Sequence, residues 1–135
     1  MTGIESIAFL VARICTSGIW FGAGLYKATH FEKTAEEMGG HFGIPFPRLV
    51  LPVVVALELG GSAMLIANFY VWLACLAWIV FLFPATVLYH GKVITPEGKI
   101  DFLQYVMVFK NISILGGLII LILLDPTRPA WLLRA

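Results

Sequence analysis

The chain has 135 residues, of which 60% are hydrophobic and only 13% charged, with a net charge of +1 and a mean hydropathy of +0.94. A domain this small leaves much of its surface exposed, so a water-soluble fold cannot hide that much apolar side chain and the surplus must face lipid. The near-neutral charge argues against nucleic acid or an acidic polymer as a partner.

The first apolar stretch runs from about Ile4 to Tyr26 and is interrupted by Arg13. Its leader, MTGIES, carries only Glu5 and lacks the positive start of a secretory signal, and no small-residue cleavage site follows; it reads as a retained span. Arg13, Ser17, Trp20, Gly24 and Lys27 recur at steps of three and four, which places them on one helical stripe.

Between Ala28 and Arg48 the chain is amphipathic. Phe31, Ala35 and Met38 oppose Glu32, Lys33, Glu36 and Glu37 at helical spacing, which predicts a short helix lying in the membrane interface. The following GGHFGIPFPR cannot continue that helix, and Phe42, Ile44 and Phe46 can dip into the interface.

A second apolar stretch runs from about Leu49 to Ala67 and contains only Glu58, flanked on its stripe by Gly61 and Ser62. Asn68, Phe69 and Tyr70 alone separate it from a third, uncharged stretch from about Val71 to Tyr89, so these two spans form a tight antiparallel hairpin. Thr86 and His90 follow Pro84 at its end, and a polar, turn-rich HGKVITPEGKID leads to the fourth stretch, about Phe102 to Leu124, with Gln104, Lys110 and Asn111. Each stretch reaches the roughly 20 residues that cross a bilayer as a helix, the form that satisfies its own backbone in hydrocarbon. Cys15 and Cys75 lie inside these stretches and read as packing residues rather than a disulfide or metal pair.

The expected fold is therefore all-α: an integral membrane four-helix bundle, one transmembrane domain over residues 1–135, with spans at 4–26, 49–67, 71–89 and 102–124. An even number of spans places positions 2 and 134 on one face. Lys27, Lys33, Arg48, Lys92 and Lys99 flank the other face against Arg128 and Arg134, which favours cytoplasmic loops one and three.

Charges inside spans cost roughly 2.5–3.5 kcal/mol each on insertion scales, so they pair or line a cavity. Counting from the loop-one face at the helical rise, Lys27 and His90 lie at the rim and Gln104 near it. Lys110 lies roughly 10 Å in, Glu58 roughly 14 Å and Arg13 roughly 20 Å. Two readings follow. Arg13 or Lys110 neutralises Glu58 and merely holds the helices together, or these groups form a polar pocket open at one face, roofed by Trp20 and Phe109. In the second reading Lys27, Glu58, His90, Lys110, Asn111, Arg13 and Gln104 are ligand-binding residues, and the surplus cation suits an anionic or carbonyl-bearing ligand.

The order of ARI, FGAGLYKATHF, the loop ending GIPFP, ALELGGSAMLI, VLYHG and FKNISILGGLIIL resembles the DoxX family of small bacterial four-helix membrane proteins over roughly residues 8–124. That resemblance implies a multi-pass protein of the bacterial cytoplasmic membrane. It also implies kinship with the membrane subunit of thiosulfate:quinone oxidoreductase and with partners of other membrane redox systems. A quinone is the cofactor it suggests, with further redox subunits or a second copy of the chain as partners.

The chain carries no catalytic motif, no dinucleotide fingerprint and no metal-ligand spacing, and its three histidines lie outside the apolar runs, which argues against a bis-histidine haem. The reading is of a quinone-linked redox subunit, with a scaffold subunit or a small-solute carrier as alternatives.

Overall fold

The computed structural model describes residues 3–133, without the side chain of Leu133; the expectations for positions 2 and 134, and the charge of Arg134, fall outside the described residues. Five α-helices follow in order: α1 (Gly3–Thr29), α2 (Phe31–Gly40), α3 (Pro47–Ile66), α4 (Val71–His90) and α5 (Phe102–Leu124), then a 3-10 turn at Ala130–Leu133. α1, α3, α4 and α5 are long and apolar enough to cross a membrane. No strand is present among the described residues, and the architecture is the expected all-α membrane bundle. α1 packs along α3 and α4 along α5, and the pairs join through α3–α4 and α1–α5.

The helices bury a core of Leu, Val and Trp side chains with several polar groups, and many further aliphatic side chains face outward. Ile7, Leu10, Val53, Val80, Leu103 and Ile112 are all exposed, which a bilayer accommodates and water does not. On α1 the buried set is Phe9, Arg13, Ser17, Trp20 and Gly24; the last four belong to the stripe read from the spacing, and Lys27, its remaining member, is half-buried. Its register on α3 is antiparallel. A Cβ on Gly24 would come within 3.0 Å of Glu58 and Leu59, Ser62 Oγ donates to the Ser17 carbonyl at 3.2 Å, and an Arg13 nitrogen donates to the Leu65 carbonyl at 3.1 Å.

α2 is the short amphipathic helix expected there. It buries Thr34, Ala35 and Met38, and the last two meet Leu51 of α3 and half-buried Ile44. The α3–α4 hairpin turns through left-handed Asn68 (φ 55°) and Tyr70 (φ 43°). The loop before α5 closes through a single bridge, Ile94 with Ile100, and Asp101 caps α5 by accepting from the Gln104 backbone N–H at 3.2 Å.

α3 and α4 meet at Gly61, where a Cβ would come within 2.7 Å of the Trp78 ring. Trp78 is fully buried, and its indole N–H donates to the Leu57 carbonyl at 3.1 Å, so the ring has nowhere to retreat. Gly61→Ala is expected to destabilise the bundle by about 1–3 kcal/mol, the usual cost of overpacking. Thermal unfolding in detergent checks this, with Gly60→Ala as the control, since a Cβ on Gly60 meets nothing within 4 Å.

Candidate functional site

Near the loop-one face the four spans separate around a cavity of about 650 Å³. Its walls are apolar, from Ile19 and Ala23 on α1, Val53, Val54 and Leu57 on α3, Phe81 and Leu88 on α4 and Ile114 on α5. The connection between α2 and α3 covers it with Phe42, Gly43, Ile44 and Pro45. Phe42 rests on Tyr89, with ring centroids 3.9 Å apart.

Five of the seven residues expected at the site line this cavity: Lys27, Glu58, His90, Lys110 and Asn111. Their pairing differs from expectation. Glu58 binds neither Lys110 nor Arg13; Lys27 donates to both of its carboxylate oxygens, at 2.7 and 2.8 Å. The reason lies in the register. Gly24 is level with Glu58, which puts Lys27 only one turn above, and side chains on a helix lean toward its N-terminus, here downward into the bundle. Lys27 therefore reaches inward from the rim to meet a carboxylate whose side chain is 3% exposed.

Of the two lysines that line the cavity, Lys110 is the one without a carboxylate; its Nζ approaches the Met107 sulfur, at 3.4 Å. Asn111 donates to the Thr86 hydroxyl at 2.8 Å, which itself donates to the Leu82 carbonyl at 2.7 Å, so these groups tie α5 to α4 beside Pro84. One ring nitrogen of His90 (Nδ1) lies 2.9 Å from Gln104 Oε1. That contact leaves Nε2 for a ligand. Gln104 itself lies behind His90, outside the lining.

Arg13 is not at the site. It sits level with the last turn of α3, where it binds the Leu65 carbonyl, which also accepts from the Asn68 backbone N–H at 3.2 Å, and its guanidinium lies 4.9 Å over the Phe9 ring. The expected roof is also corrected: Trp20 lies in the deep part of the cavity and Phe109 is exposed on the outer surface of α5.

Sequence reasoning passed over Tyr89 and the covering role of Phe42. It also passed over Asp125, a buried carboxylate at the far end of the bundle. Asp125 Oδ2 accepts from the Trp72 backbone N–H at 2.8 Å, and Oδ1 accepts from the Thr127 backbone and hydroxyl, both at 2.8 Å. An acidic residue ending an apolar run just before Pro126 is the signal that would have found it.

Among the described residues, no group of three or more His, Cys, Asp or Glu side chains could hold a metal ion. The model of the DoxX family matches residues 8–91. The chain is also 29% identical to the inner membrane protein YqjF of Escherichia coli (strain K12) over 126 residues, which cover 93% of this chain and 90% of that protein. No solved structure matches.

Proposed function

The chain belongs to the DoxX family and is a multi-pass protein of the bacterial inner membrane, and from that premise we propose that its cavity binds a carbonyl-bearing amphiphile of the quinone class as part of a membrane redox system. One observation carries this reading. The apolar cavity among the four spans holds a closed Lys27–Glu58 pair together with Lys110, a cation with no carboxylate of its own. Because the pair satisfies itself, the cavity offers a ligand one positive donor, Lys110, rather than a field of net charge. An apolar tail suits walls of Val, Leu, Phe and Ile, and the head suits the Lys110 side. In this reading the electron donor is a partner subunit and the chain holds the acceptor.

Arg13 and Lys27, each bonded across to α3, also suit a scaffold, in which buried charges only fix the bundle. Thermal unfolding in detergent with short-chain quinone analogues and with small anions separates the two. Quinone analogues are expected to raise the melting temperature of the wild type by several degrees. Lys110→Met keeps the apolar stem, and it is expected to weaken binding about tenfold or more while leaving the ligand-free melting temperature within about 2 °C. Equal shifts in both proteins, or no shift with any ligand, would favour the scaffold.

A further inference from the structure

The four spans stand in the order α1, α3, α4, α5 around the bundle. Each packs on its two neighbours and none packs across the diagonal, so the α3–α4 side lies opposite the α1–α5 side. On α3, Val50, Val53 and Leu57 follow at steps of three and four, as do Phe81, Pro84 and Leu88 on α4, and all six line the cavity. Yet Val53 is 67% exposed, Leu88 is 51% exposed, and Pro84 is exposed as well. Side chains that both line a cavity and face outward stand at its opening. Below them Trp78 closes the gap between the two helices, its ring against Gly61 and its indole N–H on the Leu57 carbonyl. Above them the connection from α2 covers the cavity with Phe42 to Pro45, and Phe42 rests on Tyr89. The opening is therefore lateral, and Val53, Pro84 and Leu88 give it an apolar rim on two membrane-spanning helices.

We propose that the gap between α3 and α4 is a portal to the bilayer, through which the ligand enters and in which its apolar tail remains. The inference rests on reading the cavity as a ligand site, and it fixes how the ligand lies there. Asn111 of α5 bonds to Thr86 and so faces α4, and Lys110, one residue earlier, points roughly 100° away. Because Lys110 also lines the cavity, and the other neighbour of α5 is α1, its cation stands on the side across from the portal. An amphiphile with its head at Lys110 then has its tail directed toward Val53 and Leu88, where lipid takes over from protein. The ligand class narrows to a membrane-dissolved amphiphile with a linear apolar chain. A small water-soluble anion has no use for such a rim.

The test uses full-length protein in lipid nanodiscs and two benzoquinone analogues, one with the head alone and one with a long alkyl chain carrying a photoreactive group. After activation the chain is expected to label Val53, Pro84 and Leu88. Leu88→Trp narrows the portal, and it is expected to lower the affinity of the chain-bearing analogue relative to that of the head alone by about tenfold. Labelling of Phe42 to Pro45 would overturn the inference in favour of exit at the loop-one face. Labelling of Ile19 and Ala23 would overturn it in favour of exit between α1 and α5. An unchanged affinity ratio in Leu88→Trp would also overturn it, and in all three cases the cavity would remain a quinone site. Binding of neither analogue to the wild type would overturn both this inference and the reading it rests on. Should the variant not fold, the labelling of the wild type decides.

Discussion

Replacing Lys27 by methionine is expected to destabilise the bundle by about 3–5 kcal/mol, the cost of breaking a buried ion pair from one side. The partners are unequally placed: the Glu58 side chain is 3% exposed and that of Lys27 is 22% exposed. Removing the lysine strands a buried carboxylate whose stem packs against Gly24. Removing the carboxylate strands a lysine that can extend toward the loop-one face. Glu58→Gln is therefore expected to cost less, about 1–2 kcal/mol, because its amide oxygen still accepts from Lys27. The double variant Lys27→Met with Glu58→Gln should be more stable than Lys27→Met alone, since it leaves no unpaired charge. Chemical unfolding in detergent across the four proteins measures the coupling. Equal losses in both single variants, with additivity in the double, would show that the two side chains do not act as a pair.

Asp125→Leu is expected to cost about 2–4 kcal/mol at the opposite end of the molecule. α4 begins without a side-chain cap of its own, since its N-cap residue is Tyr70 in a left-handed conformation. Asp125, arriving from the end of α5, supplies the missing acceptor to the Trp72 N–H and places a negative charge at the positive end of the α4 dipole. Leucine removes the acceptor and also the two bonds from Thr127 that shape the turn after α5. Asparagine keeps an oxygen and should lose less than half as much stability. Unfolding curves for both variants check the order, and a leucine variant as stable as the wild type would mean that the cap contributes nothing.

The bundle was legible in the sequence because apolar length and charge spacing are one-dimensional signals. The stripe from Arg13 to Lys27 could be read from steps of three and four, and α2 from the opposition of Ala35 and Met38 to Glu36 and Glu37. What the sequence did not carry was the vertical offset between neighbouring helices. Counting residues from a common face placed Glu58 deep and Lys27 at the rim, as if every span began at the same height. Contact of Gly24 with Glu58 sets the true register, and with it the Lys27 pairing and the position of Arg13 beside the end of α3. Asp125 was missed for a related reason. Its partner is a backbone N–H on another helix, 53 residues away along the chain, and no local pattern announces such a cap.

The central claim, that the space between the four spans takes a carbonyl-headed amphiphile, is tested most directly by photolabelling. A photoreactive short-chain quinone analogue is activated in membranes containing the protein, and the labelled peptides are mapped. The account predicts labelling of cavity residues such as Trp20, Val54 and Leu88, suppressed by excess unlabelled analogue. Labelling confined to outward-facing residues such as Ile7, Val80 and Ile112, with no competition, would contradict it.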